Sequence, residues 1–377
     1  MEQKNCGFLL TASGRDSGNG HVLHYFGKAD FGPFELVFTN EKPVFFIDRK
    51  SEVHLNNRAS RKNVSLKTFR GEDVDALYFN KQSELYRFKD DNTQLRSFES
   101  DVRTTERFLM ERFVKGMVEF KGEYVLEDKV RVYRNPLIKS CSNRLTALST
   151  LSFDIETSRG NDLYSIALHY YEFGNDVREV FMVGEDQGDI DGATLSYHRD
   201  EKSCYLAFEK RVFELDPDLI LGWHVVGFDL VFLEKKCLSW GIDLKLGRKR
   251  RKIVITTSQA SSQHYARIDG RVVIDGPPIM RAAFYQFENF KLDTVAHELL
   301  GTRKDIESTG MEKVKEIERR FREDKPSLAT YNILDCVLVT DIMKKTGMVS
   351  LLQTRVKLCG LLIDRLAVST AAFDFFM

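Results

Sequence analysis

The feature that most constrains this chain is a short stretch near its middle, "LSFDIETS", from Leu151 to Ser158. Leu151, Phe153 and Ile155 alternate with Ser152, Asp154 and Glu156, the period of two that marks a half-buried β-strand. Residues i and i+2 of a strand point to one face, so the carboxylates of Asp154 and Glu156 must lie side by side. Like charges at that spacing repel. Two environments offset the repulsion. One is water, with an edge strand and a wet face. The other is a divalent cation, because hard cations prefer carboxylate oxygens.

Two further acids bear on that choice. Asp229, in "ILGWHVVGFDLVFL", sits where a strand gives way to a helix, a position at which Asp is also a common helix cap. Tyr331 and Asp335, in "ATYNILDCVLVT", are four apart and share a helix face; a solvated Tyr–Asp pair is the plain alternative.

The 377 residues suffice for two domains or three. No run of about 20 apolar residues is present, so no membrane span and no membrane partner is expected. The N-terminus lacks the basic and apolar regions of a secretory signal. Six cysteines are scattered without a C-x-x-C pair, which points away from zinc or a disulfide framework and towards a reducing cytoplasm. Lys plus Arg equal Asp plus Glu at 56 each, so nucleic-acid binding must be argued from local features.

Residues 1–146 read as a strand-rich α+β domain. "GHVLHYFGKADFGPFELVFTN" predicts two strands around a turn, "KPVFFIDR" a third, and "TTERFLMERFV" a helix with Leu109, Met110 and Phe113 on one face. From 147 the texture is α/β. "LYSIALHYY", "VREVFMVG", "DLILGW" and "RVVIDG" predict strands, while "SCYLAFEKRVFEL", "FDLVFLEKKCLSWG" and "KLDTVAHELLG" predict helices stopped by Pro217, Gly241 and Gly301. Pro326 suits a helix's first turn. Asp275 and Asp293 read as turn and cap residues.

The ordered set D-x-E on a strand, F-D at a strand-to-helix turn and Y-x-x-x-D on a helix resembles the four-acid signature of 3′–5′ exonucleases with a ribonuclease-H-like fold. "DVRTTERFLMERF", "PDLILGWHVVGFDL", "LDTVAHELLG" and "RRFREDKPSLATYNILDCVLVT" extend the likeness along nearly the whole chain. They are similar to bacterial members of the family B DNA polymerases. The resemblance implies a mixed-sheet exonuclease domain over 147–365, behind an N-terminal domain over 1–146. It implies that 366–377 begin the route into a polymerase palm, so that the missing polymerase domains of the same chain are partners. The family's S-L-Y-P-S and D-T-D-S motifs do not occur here, and the expectation is an N-terminal fragment of a DNA-directed DNA polymerase.

By position, the catalytic carboxylates implied are Asp154, Glu156, Asp229 and Asp335, with Tyr331 as the active-site tyrosine. The same four acids are the implied ligands of two Mg2+ ions, with Mn2+ able to substitute. The implied reaction is proofreading, the release of mononucleotides from a single-stranded or frayed 3′ end of DNA. Phe228 could touch the terminal base or merely pack the turn. His224 departs from the family, which carries Asn there to help place the terminal nucleotide; a neutral histidine can stand in for the amide. The run "KLGRKRRK" holds six basic residues in eight. Its Arg248, Lys249, Arg250, Arg251 and Lys252 could track a phosphate backbone, or the run could be a solvated loop. Two other functions fit the same residues, a catalytically weak DNA-guiding module and a stand-alone ribonuclease of this fold.

Overall fold

The computed structural model of the chain describes residues 4–39, 41–55, 59–142, 146–258, 263–302 and 311–365. They form two compact units, one built mainly on Met1–Leu145 and the other on Thr146–Val356. The expected route into a palm, 366–377, lies outside the described residues.

The first unit runs β1 (Asn5–Ser17), β2 (Gly20–Ala29), β3 (Gly32–Phe38), β4 (Val44–Asp48), β5 (Ala59–Lys67), β6 (Asp73–Phe79), α1 (Gln82–Asp91), β7 (Ser97–Phe98), α2 (Thr104–Met110), β8 (Met117–Lys121), β9 (Tyr124–Glu127), β10 (Val130–Arg134), β11 (Leu137–Ser140). It holds a seven-stranded sheet, β11-β8-β1-β2-β3-β10-β9, and a four-stranded one, β5-β6-β4-β7. β2 and β3 are the expected antiparallel pair, with Ala29 opposite Gly32. The helical periodicity around Thr104 overreaches. α2 stops at Met110, and Phe113, spaced for the buried face, takes φ 53° and is 79% exposed. The chain turns there, with the amides of Phe113 and Val114 donating back to Met110 and Leu109 at 3.0 Å.

The second unit runs β12 (Thr150–Thr157), β13 (Leu163–Glu172), β14 (Asn175–Val183), β15 (Thr194–His198), α3 (Glu201–Leu215), β16 (Leu219–Gly222), α4 (Val231–Ser239), β17 (Val254–Thr257), β18 (His264–Arg267), β19 (Val272–Asp275), α5 (Gly276–Ala282), α6 (Leu292–Leu300), α7 (Met311–Glu323), α8 (Lys325–Lys345), and α9 (Met348–Cys359) follows. Its six-stranded sheet has the order β15-β14-β13-β12-β16-β19. β12, β13 and β14 are antiparallel, whereas β15, β16 and β19 join in parallel. This mixed sheet is the fold class that the sequence predicts.

The caps explain where the main helices begin and end. Asp200 accepts the Ser203 amide at 2.7 Å to start α3, and Asp216, at φ 48°, ends it before Pro217. Asp324 accepts the Ser327 amide at 3.1 Å to start α8, with Pro326 in its first turn. Gly301 closes α6 at φ 73°, a left-handed conformation that costs glycine little.

Two apolar layers clad the sheet. On one face Leu151, Phe153 and Ile155 of β12 pack with Tyr205 and Phe208 of α3 and Phe232 and Leu233 of α4. On the other, Ala167, Val180 and Met182 pack with Leu328, Ala329, Ile333 and Cys336 of α8. The edge-strand reading of "LSFDIETS" is therefore wrong. β12 is an interior strand, and α8 lies over the face that carries Ser152, Asp154 and Glu156. Among the described residues, no helix is long and apolar enough to cross a membrane.

Candidate active site

Strand alternation and the register with β13 set two of the acids. Ala167 stands opposite Asp154 and Ser165 opposite Glu156, and the pairing shifts by a bulge directly after Glu156. Helix α8 brings the third. One oxygen each from Asp154, Glu156 and Asp335 lie within 4.8 Å of one another. Glu156 and Asp335 are 7% and 5% exposed, so water does little to screen those two charges, while Asp154 is half-buried. All the donors are carboxylate oxygens, with no thiol or imidazole among them. That set suits a hard ion such as Mg2+ or Mn2+.

Asp229 reaches the same place by another route. After Gly222 the backbone enters a single π-turn, Val226–Leu230, which buries Asp229 and leaves Phe228 half-exposed. π-turns of this kind recur at functional sites. The Asp229 carboxylate is not a helix cap. Its Oδ1 accepts the backbone amide of Ile155 at 3.0 Å. The last β12–β16 pair is Ser152 with Leu221, so the carboxylate takes over where strand pairing ends, between the two β12 acids. Burial, and then the nearby Asp154 charge, push the Asp229 carboxyl well above its usual range. A divalent cation would reverse that balance, a second respect in which these residues fit one.

Tyr331 and Asp335 share the sheet-facing side of α8, as their spacing predicts, and Tyr331 is 1% exposed. Burial, followed by the charges of Asp335, Glu156 and Asp154, raises its phenol far above the ordinary value. The hydroxyl thus remains protonated and can donate. Lys313 of α7 stands 5.3 Å from the Tyr331 ring centre.

Two residues absent from the sequence reading as site residues support this arrangement. Asn332 donates from Nδ2 to Asp154 Oδ2 at 2.9 Å. Asp275, read as a turn residue, accepts the amides of His224 at 2.7 Å and Val226 at 3.4 Å, which anchors the turn ahead of Asp229. His224 is exposed at φ 66°. Phe228 lies over Phe232, 6.4 Å between ring centres. Beside it is a groove of about 370 Å3, lined also by Gly227, Val231, Lys235 and Lys236.

The basic run does not act as one unit. Arg248 is 1% exposed, with Nε 3.1 Å from Asp216 and Nη2 2.7 Å from the fully buried Asp218. It cannot meet a phosphate backbone, and its place in that expectation is corrected. The acids of "LDPDL" draw the guanidinium inside, and Asp218 also accepts the amide and hydroxyl of Ser149 at 3.0 Å. Arg251 is paired with Asp269 at 3.0 Å. Arg250 and Lys252 are exposed and Lys249 is half-buried. If these three neutralise DNA phosphates, changing them to Ser should lower the slope of log affinity for single-stranded DNA against log salt by about 2. An unchanged slope, measured by titration at several salt concentrations, would leave them a solvated loop.

Known proteins resemble this chain in sequence and in fold. Residues 95–295, just over half of the chain, match the family described as "DNA polymerase family B, exonuclease domain". The match takes in Asp154, Glu156 and Asp229 and ends before Tyr331 and Asp335. DNA polymerase II of Escherichia coli (strain K12) is 34% identical over 97% of this chain and 47% of its own length. A DNA polymerase of Archaeoglobus fulgidus is 25% identical over 80% of this chain and 38% of its own. The chain thus spans about half the length, or less, of these relatives. The solved family B DNA polymerase of Pyrobaculum calidifontis superposes with a TM-score of 0.78 over 98% of this chain and 49% of its own, at 18% identity, which is a likeness of fold.

Proposed function

The chain belongs to the family B DNA polymerases, whose exonuclease domain it carries, and on that premise we propose that it removes mononucleotides from the 3′ end of DNA as a proofreading exonuclease. Residues 147–365 act as the exonuclease domain and 1–146 as the N-terminal domain of a longer DNA-directed DNA polymerase, whose further domains are the partners. The observation that carries the reading is the convergence of Asp154, Glu156 and Asp335 oxygens within 4.8 Å, with Asp229 anchored at the same strand.

Asp154, Glu156, Asp229 and Asp335 would hold two Mg2+ ions, or Mn2+ in their place. Bound there, the ions supply an activated water and stabilise charge on the departing oxygen. The protein's own groups do the positioning. The Ile155 amide fixes Asp229, and α8 fixes Asp335 and Tyr331. The protonated Tyr331 hydroxyl donates a hydrogen bond that orients the attacking water. Half-exposed Phe228 offers a face to the terminal base beside its groove. An interior strand roofed by a helix admits an unpaired end more readily than a duplex, so a single-stranded or frayed terminus is the substrate.

The test is one sequence made as single-stranded DNA and as RNA, labelled at the 5′ end and incubated with Mg2+ or with a chelator. Stepwise shortening of DNA from its 3′ end, abolished by the chelator, is the expected result. Shortening that survives metal removal, or that runs faster on RNA, would overturn the proposal.

A further inference from the structure

We propose that Asn332, locked in place by Ser165, is a positioning residue that orients the Asp154 carboxylate for the cation, an inference that rests on the metal-dependent reading of this site. Both side chains are fully buried. Ser165 Oγ donates to Asn332 Oδ1 at 2.8 Å, and Asn332 Nδ2 donates to Asp154 Oδ2 at 2.9 Å. The chain of bonds has one workable direction. An ionised Asp154 only accepts, so the amide must turn its NH2 group towards it. The amide oxygen then faces β13, where a hydroxyl can donate and a second amide oxygen could not.

The three residues come from distant parts of the sequence, but the fold makes them neighbours. Ser165 stands opposite Glu156 in the β12–β13 register, and Asn332 follows Tyr331 on α8. Fixing one oxygen of Asp154 sets the plane of its carboxylate, and so the direction in which it meets an ion. The choice of amide also has a reason. A carboxylate at 332 would add another negative charge to a buried acidic cluster. A lysine would neutralise Asp154 and compete with the cation. A leucine of similar size would leave two buried polar groups without this link. Asn donates while remaining neutral. Partners that orient metal ligands in this way typically change metal affinity by about 10- to 100-fold when removed.

The experiment compares the full chain with Asn332→Leu and Ser165→Ala. Mn2+ binding without DNA is read directly from the electron paramagnetic resonance signal of the free ion. The Mg2+ concentration for half-maximal rate is read on single-stranded DNA under single-turnover conditions. Asn332→Leu should weaken Mn2+ binding about 10-fold or more and raise the Mg2+ requirement in parallel, with much of the rate restored at high Mg2+. Ser165→Ala should move both in the same direction by a smaller factor, because the amide remains but is no longer locked. A merely structural defect would lower the rate without rescue by metal. If Asn332→Leu does not fold, Ser165→Ala decides alone. Mn2+ affinity within twofold of the parent in the folded variants would overturn the inference. Mn2+ binding by the parent that does not depend on Asp154 and Glu156 would instead overturn the site reading, and the inference with it.

Discussion

Replacing Asp154 and Glu156 together with alanine should reduce the release of mononucleotides by roughly 10^3-fold or more, while the second unit stays folded. The magnitude follows from the chemistry proposed. A bound divalent ion contributes several kcal/mol of transition-state stabilisation, and each 1.36 kcal/mol is about tenfold in rate. The folded state survives because two opposing effects partly cancel. The change removes two of three carboxylates whose oxygens lie within 4.8 Å, which relieves like-charge repulsion. It also takes from Asn332 the acceptor it holds at 2.9 Å, a loss of about 1–3 kcal/mol for a buried donor. Thermal melting without metal should therefore move by only a few degrees, while product release falls to background. A double variant that shortens single-stranded DNA at near the parent rate would mean that the nuclease site lies elsewhere.

The second large effect falls on stability. Arg248→Ala should destabilise the exonuclease unit by about 3–5 kcal/mol, since breaking a buried pair strands its partners as uncompensated charges. Asp218 is fully buried and would lose a guanidinium 2.7 Å away. Asp216 would keep Arg271, 2.8 Å away, but not Arg248. Arg271 is itself buried and would remain beside an excess of acid. The adjacent Lys252→Ala should lie within about 0.5 kcal/mol of the parent, because Lys252 is exposed and its ion pair with Asp243 is long, at 4.0 Å. Denaturant melts of the two variants read the contrast. If Arg248→Ala costs less than 1 kcal/mol, the network does not carry that unit.

The two outcomes trace what a sequence can disclose. Asp154 with Glu156, and Tyr331 with Asp335, were legible because each pair is set by a local period, two in a strand and four in a helix. Most strands and helices of the second unit followed from the same periods and from Pro and Gly at the helix ends, whereas the mixed order of the sheet was implied by the family resemblance, because a period of two does not tell parallel from antiparallel pairing. What stayed hidden depends on partners far along the chain. Asp229 meets the Ile155 amide 74 positions away, and Asn332 meets Ser165 167 positions away. Arg248 looked like its basic neighbours because nothing beside it in the chain reveals Asp216 and Asp218 across the fold. Alternation in "LSFDIETS" likewise could not tell a wet edge from an interior strand roofed by α8, since both ask for one polar face.

The backbone at His224 sets a rule of its own. With φ at 66° and its amide tied to Asp275 at 2.7 Å, this position must be filled by a residue that tolerates a left-handed bend. Asn, Asp and His are several-fold enriched among the few non-glycine residues found there. A β-branched residue would meet a steric penalty of about 1–2 kcal/mol or more. Histidine and asparagine thus belong to one short alphabet, written by the turn itself. Exchange between them leaves the path of the chain towards Asp229 intact, so this position can drift in chemistry while the main chain beneath it does not.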